Sequence, residues 1–213
     1  MHFFLADFVV CRMPDYHIPL LPGEKYHILS RAVGNEQLFL TGENYRFFLE
    51  RYKKYVSPIA DTYCYSLLPN HFHFLVKIKE EPAILSILEK QITPEKLSAM
   101  IMMQFSKLLN SYAKSYNKAN SRKGALFMDF LRRVAIGKEE QFGATVFYIH
   151  KNPVHHGYCK AMEDWKWSSY NTMLSQKPTM LLRDEVLDWF GGLKGFTDYH
   201  SQPVYLKRAV DLE

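Results

Sequence analysis

The fold is decided by the segment Thr62-Tyr-Cys-Tyr-Ser-Leu-Leu68, Pro69-Asn70, His71-Phe-His-Phe-Leu-Val-Lys-Ile-Lys79. The two runs on either side of Pro69-Asn70 are rich in aromatic, β-branched and other apolar residues, a composition typical of strands. The Pro-Asn pair is typical of a tight turn, so we predict an antiparallel hairpin over 62–68 and 71–79. Side chains alternate along a strand. One face of the second strand therefore carries a core-packing set (Phe72, Phe74, Val76, Ile78), and the other carries His71, His73, Leu75, Lys77 and Lys79.

Strand and helix patterns alternate on both sides of this hairpin. Before it, we predict a strand at Tyr26–Val33 and a helix at Glu43–Val56. After it, we predict a helix at Pro94–Tyr116, a strand at Leu131–Ile136 and a helix at Glu139–Lys151 that Pro153 halts. The order favours an α+β, ferredoxin-like fold, a split βαββαβ antiparallel sheet with helices on one face. The other face is expected to be open, like the surface on which RNA-recognition modules bind single strands.

Length and composition limit the class of protein. The 213 residues, of which 47% are hydrophobic, are enough for one domain with additions or two small domains. The formal net charge of +5 permits a nucleic-acid partner without requiring one. The 3 cysteines show no CxxC spacing, which suits a reducing cytoplasm, and we expect a cytoplasmic protein.

The two ends of the chain differ from its centre. Residues 1–22 form an expected N-terminal lead-in, and Met13 is a hypothetical translation start because residues 1–12 differ in character from the rest of the chain. The apolar run Phe3–Cys11 is too short for a membrane span, and no Lys or Arg precedes it, so neither a membrane partner nor a secretory signal is expected. Residues 171–213 are expected to form a C-terminal helical extension of unclear role, with a helix at Asp184–Phe190.

Two small groups of residues carry the candidate chemistry. His71 and His73 point the same way, roughly 6–7 Å apart, close enough to converge on one metal ion. The alternative is that they merely occupy the solvent face. Tyr148 and Asn152 share a helix face, and a phenol can act as a nucleophile toward phosphorus. The alternative for Tyr148 is a packing role, as for most of the 14 tyrosines.

These residues resemble a known family. Leu67-Leu-Pro-Asn-His71-Phe-His73-Phe-Leu-Val resembles the HUH segment of single-tyrosine transposases, in which two histidines flank a bulky apolar residue. Tyr148-Ile-His-Lys-Asn152-Pro153-Val, with Gly157 and Trp165-Lys-Trp-Ser-Ser-Tyr170, is similar to the tyrosine helix and downstream signature of REP-associated tyrosine transposases. The match runs from about Pro22 to about Tyr170, which assigns the transposase domain to 23–170.

The resemblance implies a reaction and a set of site residues. His71, His73 and Asn152 would bind a divalent metal ion, Mg²⁺ or Mn²⁺, and Tyr148 would be the nucleophile. Transesterification would leave a 5′-phosphotyrosine and a free 3′-hydroxyl, and rejoining would be the reverse step. The expected partner is single-stranded or hairpin DNA from inverted-repeat elements with a short single-stranded tag, bound by a monomer or a homodimer. Contacts to phosphate are expected from nine basic residues: Lys77, Lys79, Lys114, Lys118, Arg122, Lys123, Arg132, Arg133 and Lys151.

Three other functions remain open at this point. The same fold can serve as a domesticated, non-mobilising, structure-specific DNA-binding module. A replication or transfer initiator would use the same chemistry but is usually accompanied by a helicase domain, for which this chain has no room. A metal-dependent hydrolase would leave Tyr148 with a structural role only. A covalent protein–DNA adduct separates the transposase from the first and last of these.

Overall fold

The computed structural model describes residues 17–88, 93–128 and 131–202. Its four strands are β1 (Lys25–Arg31), β2 (Ala60–Leu68), β3 (His71–Ile78) and β4 (Arg132–Ala135). Its helices are α1 (Gly42–Tyr55), α2 (Glu81–Leu88), α3 (Pro94–Ala119), α4 (Glu139–His155), α5 (Tyr170–Leu174), α6 (Arg183–Trp189) and α7 (Leu193–Ser201), with a short 3₁₀ turn at Met162–Asp164. Within these residues, none of the helices is long and apolar enough to cross a membrane.

The strands form one antiparallel sheet in the order β2-β3-β1-β4. The predicted hairpin pairs Leu68 with His71, and β1 inserts between β3 and β4, with Arg31 opposite His71. This order is the one that a βαββαβ chain gives when its two central strands form a hairpin and the outer strands return beside them. The predicted α+β, ferredoxin-like class is confirmed.

One face of the sheet carries the main core. The predicted apolar set of β3 packs there against α1 and α3. Tyr52 of α1 stacks on Phe74 with ring centroids 4.2 Å apart, and Phe48 lies 5.0 Å from Phe72. Aromatic contacts of this kind bury large apolar areas and fix the two helices on the same side of the sheet.

The opposite face is covered, and the expectation of an open face is wrong. Helix α4 packs across β2 and β3, and a second apolar cluster forms there. Leu75 is 0% exposed and His73 only 1%. The physical reason is that α4 is apolar over most of its length, with Phe142, Val146, Phe147 and Ile149 all buried, so it needs a covering surface of its own.

Helix α4 also extends further than the sequence predicts. It ends at His155 and contains Pro153, which was expected to halt it at Lys151. A proline removes only the backbone bond that its own N–H would make, and at this position it lies within the last turn, where the cost is small. Asn152, expected in a fraying turn, is consequently 0% exposed.

The C-terminal segment contributes to the same second cluster. Val186 of α6 and Phe196 of α7 are both fully buried there, beside residues of α4. Helix α6 matches the predicted helix at Asp184–Phe190 within one residue at each end, whereas α2 and α7 were not predicted. The hypothetical start at Met13 and the end of the extension from residue 203 lie outside the described residues.

Candidate active site

Helix α4 and strand β3 bring together the four residues that the sequence singles out. The His71 Nε2 atom lies 3.0 Å from the Asn152 Oδ1 atom, and the rings of His73 and Tyr148 meet edge-on with centroids 5.5 Å apart. The two spacings match: positions i and i+2 of a strand and positions i and i+4 of a helix are each separated by about 6 Å along their axes. A helix lying over the strand can therefore contact it at both positions.

His71 is held between two amide side chains. Its Nδ1 atom lies 2.7 Å from Asn70 Oδ1, and its Nε2 atom lies 3.0 Å from Asn152 Oδ1. Both oxygens only accept hydrogen bonds, and a neutral imidazole carries a single N–H donor. Satisfying both contacts requires either an imidazolium or a cation between Nε2 and Oδ1.

His73 has a buried partner that sequence analysis missed. The His27 Nε2 atom of β1 lies 2.9 Å from His73 Nδ1, and the two rings stack with centroids 5.1 Å apart. His27 is 0% exposed. Alternation along the predicted strand at 26–33 offered the only signal, but the pairing of β1 with β3 is not written in local sequence. Once β1 pairs with β3, His27 lies on the same face as His73.

Burial keeps this histidine pair neutral. Desolvation lowers the pKa of His27 to about 3. The pKa of His73 is also lowered well below its usual value, first by desolvation and then by the neighbouring imidazoles of His27, His71 and His156. Neutral imidazole is the form that binds metal ions.

Tyr148 lies over the same pair of rings. Its ring is 5.5 Å from that of His73 and 6.0 Å from that of His27, edge-on in both cases. The side chain is only 3% exposed. Its position fits a group that acts beside His73, but its hydroxyl is screened from bulk solvent.

Comparisons with known proteins point to one family. A Haemophilus influenzae protein that carries the name REP-associated tyrosine transposase is 25% identical over 113 residues, which is 52% of this chain and 59% of that relative. A solved structure of a REP-associated tyrosine transposase bound to a REP hairpin aligns with 78% of this chain and 89% of that one, with a TM-score of 0.52 and 18% identity. No protein-family model matches.

The chain resembles REP-associated tyrosine transposases. The resemblance expected from the two sequence motifs is thereby confirmed, while the structural likeness, at its low identity, concerns the fold alone. The chain spans less than two thirds of the length of its curated relative. The activity and substrates of this REP-associated transposase relative are therefore a matter for proposal.

The donor atoms of the site fit the divalent cation that transposase chemistry implies. His73 Nε2 and Asn152 Nδ2 are buried without a hydrogen-bond partner, and His71 Nε2 faces Asn152 Oδ1. Two imidazole nitrogens and one amide oxygen suit a divalent ion that accepts mixed ligands and keeps open positions. No group of three or more His, Cys, Asp or Glu suited to a metal occurs in the described part of the chain, because the third donor here is an amide.

The nine basic residues expected to contact DNA occupy different environments. Lys114, Lys118 and Lys123 are exposed on α3 and the loop after it, and Lys151 is half-buried on α4, next to Asn152. Arg132, on β4, lies opposite Leu29 on the histidine face. Arg133 is buried on the α3 face against Met102. Lys77 and Lys79 are 3.6 and 3.4 Å from the carboxylates of Glu80 and Asp61.

Arg122 is engaged within its own loop. Its guanidinium donates to Glu36 at 3.0 Å, to Asn117 at 3.0 Å, and to the backbone oxygens of Gly124 and Ala125. These bonds use Nε and both terminal nitrogens, so the side chain organises the loop that comes after α3.

Aromatic side chains lead outward from His71. The ring of His156 lies 4.9 Å from that of His71, Tyr158 comes next at 6.3 Å, and Trp165 is 5.7 Å from Tyr158. Tyr158 is 40% exposed, and the indole N–H of Trp165 donates to Leu67 O, which anchors the far end of the row. We call His156, Tyr158 and Trp165 the aromatic row.

Proposed function

We propose that this protein is a single-strand DNA transposase or endonuclease that cuts and rejoins hairpin DNA through Tyr148. One observation carries the proposal: a single helix places Tyr148 over His73 and Asn152 against His71. A packing tyrosine would not require two polar contacts one turn away in the same buried surface. The name of the H. influenzae relative and the fold of the hairpin-bound structure support the same assignment.

The proposed reaction is an exchange of phosphate esters. The Tyr148 oxygen forms a bond to phosphorus while the bond from phosphorus to the 3′ oxygen breaks. The phenol loses its proton, and the 3′ oxygen gains one, so the products are a 5′-phosphotyrosine and a free 3′-hydroxyl. Rejoining reverses these steps with another 3′-hydroxyl, which is why no nucleotide cofactor is needed.

His71, His73 and Asn152 would hold a divalent cation beside the scissile phosphate. When bound, such an ion polarises the phosphate and stabilises the charge that develops on its oxygens. The chain's own contribution is to orient the ligands: Asn70 contacts the far nitrogen of His71, and α4 presents Asn152 to the near one.

The burial of Tyr148 adds a requirement to this mechanism. A side chain that is 3% exposed must gain access to a DNA phosphate before it can attack. We propose that DNA binding displaces α4 relative to β3 enough to admit the phosphate. The direct contacts to α4 on this face, from His71 and His73, are few and polar or edge-on, so a small shift costs little packing.

The substrate is proposed to be a hairpin with an unpaired flank. Since α4 covers the sheet face that was expected to bind a strand, we place the strand along the exposed surface after α4. The aromatic row offers rings on which unpaired bases stack, and Lys151 and exposed His155 add positive or hydrogen-bonding groups nearby. The solved structure that shares the fold contains a REP hairpin, which supports this substrate class.

The proposal is tested by trapping the covalent intermediate. Hairpin DNA with a single-stranded flank is labelled at either end, incubated with protein and Mn²⁺, and resolved on a denaturing gel. A covalent band is expected only when the label lies 3′ of the cut, because the 5′ phosphate stays on the protein. Hairpin binding without a covalent band on any substrate would support the DNA-binding module instead.

A further inference from the structure

We propose that His27 is a positioning residue that fixes His73 in the tautomer able to bind a cation through Nε2. The inference rests on the proposed function, because the cation belongs to that proposal. It begins from one contact, the 2.9 Å hydrogen bond between His27 Nε2 and His73 Nδ1, buried on the α4 face of the sheet.

The proton on this hydrogen bond has two alternative positions. If His27 donates, His73 carries its proton on Nε2, which cannot then bind a metal ion. If His73 donates from Nδ1, its Nε2 presents a lone pair, and that atom is buried without a partner in the structure. Only the second arrangement gives the buried Nε2 a ligand to bind, so a cation at the site selects it.

The same arrangement is repeated at the second histidine. His71 Nδ1 lies 2.7 Å from Asn70 Oδ1, which can only accept. Each proposed ligand histidine thus has its Nδ1 atom engaged by a side chain outside the ligand set. Partners of this kind fix the tautomer and the ring orientation of metal-binding histidines.

His27 is held too firmly to be an incidental neighbour. Its ring is fully buried, stacked on His73 at an interplanar angle of 20° and contacted edge-on by Tyr148. Its Nδ1 atom has no hydrogen-bond partner, an arrangement that a purely structural residue would pay for in stability. An apolar side chain would fill the same space without that penalty, so the imidazole is expected to serve the neighbouring His73.

The test measures cation binding rather than DNA cleavage. Mn²⁺ is titrated into metal-free protein, and free Mn²⁺ is followed by electron paramagnetic resonance for wild type, His27→Phe and His27→Gln. His27→Phe keeps the ring but removes the acceptor, and we expect its Mn²⁺ affinity to fall roughly 10- to 100-fold. His27→Gln offers an amide oxygen in place of Nε2 and should retain most of the affinity.

A matched control is available in a second buried histidine pair. His200 Nε2 lies 3.1 Å from His150 Nδ1, and neither residue contacts His73 in the described structure. His200→Phe makes the same chemical change at a distant place and should leave Mn²⁺ affinity unchanged. Thermal unfolding of all variants separates loss of the site from loss of the fold.

The tautomer gives a second readout. In ¹⁵N NMR of Mg²⁺-loaded protein, His73 should carry its proton on Nδ1 in wild type and in His27→Gln. A proton on Nε2 in the loaded wild type, or wild-type Mn²⁺ affinity in His27→Phe, would overturn this inference while leaving the proposed function intact. Failure of wild type to bind Mn²⁺ through His71 and His73 would overturn the metal site of the proposed function, and this inference with it.

Discussion

His71 and Asn152, separated by 81 residues in the chain, meet in a 3.0 Å contact between Nε2 and Oδ1. Asn152 is fully buried one helical turn after Tyr148, and its Nδ2 atom has no partner. A buried amide with an unsatisfied donor costs stability unless the oxygen is needed. The contact therefore ties the orientation of α4 to the end of β3 that carries the histidine pair.

Asn152→Ala should weaken the site without abolishing its chemistry. The substitution removes one proposed oxygen ligand but leaves Tyr148, His71 and His73 in place. We expect DNA cleavage to fall about 10- to 100-fold, with partial recovery at higher Mn²⁺ concentration. Initial cleavage rates across a Mn²⁺ titration check this. A rate that falls equally at every Mn²⁺ concentration would assign Asn152 a structural role only.

Tyr148→Phe should separate the nucleophile from the scaffold. Only one oxygen is lost, and the ring contacts with His27 and His73 are kept, so folding, hairpin binding and Mn²⁺ binding should persist. The covalent band on the denaturing gel should disappear completely. A band that survives the substitution would show that another residue attacks the phosphate.

The sequence predicts this site because its two halves are local motifs. His71 and His73 alternate on one strand, and Tyr148 and Asn152 lie on one turn of one helix, so each pair is legible from spacing alone. His27 was missed because only the pairing of β1 with β3, a contact between distant segments, brings it to His73. The cover over the sheet was missed for a related reason: the burial of α4 depends on tertiary packing, which local pattern does not encode.

The second buried histidine pair carries a hydrogen-bond chain whose direction is fixed. His200 Nδ1 donates to the Phe196 backbone oxygen at 2.8 Å, so a neutral His200 must accept at Nε2. His150 then donates from Nδ1 at 3.1 Å and accepts at Nε2 from the Ser169 hydroxyl at 2.9 Å. A proton added to His200 Nε2 removes the acceptor on which this chain depends.

Stability should therefore decline in mild acid. Desolvation lowers the pKa of His200 to about 4 and that of His150 well below its usual value. The unfolded chain binds protons near pH 6.5 and the folded chain does not, so the free energy of unfolding falls as pH drops from about 6.5 to about 4. Each such residue contributes about 1.4 kcal/mol per pH unit within that window. Urea unfolding of metal-free protein between pH 7.5 and 4.5 measures it.

His200→Phe is the control for this pH dependence. It removes one titrating group, so its unfolding free energy should decline less steeply below pH 6.5 than that of wild type. Equal slopes for the two proteins would show that His200 is not responsible.

Two basic residues should respond differently to removal. Lys151→Ala is expected to weaken hairpin binding and to reduce its dependence on salt, since a lysine beside Asn152 is placed to meet a phosphate. Arg122→Ala should instead lower stability by about 1–3 kcal/mol, because it releases four hydrogen-bond acceptors in and near its loop. Salt titrations of hairpin affinity and urea unfolding of both variants distinguish the effects. A large loss of salt dependence in Arg122→Ala would show that Arg122 contacts DNA as well.

Tyr158→Ala should reveal whether unpaired bases use the aromatic row. Tyr158 is the most exposed of the ring contacts that lead from His71 through His156, and base stacking on such a ring is worth about 1–3 kcal/mol. We expect the variant to bind a hairpin with a single-stranded flank roughly 5- to 100-fold more weakly. Its affinity for the same hairpin without the flank should be unchanged. Tyr55→Ala removes a half-buried ring at the end of α1, which packs on the opposite face of the sheet, and serves as the control. Fluorescence of 2-aminopurine in the flank gives a direct measure: quenching on binding should be present in wild type and Tyr55→Ala and lost in Tyr158→Ala. Quenching that survives in Tyr158→Ala would place the unpaired bases elsewhere on the protein.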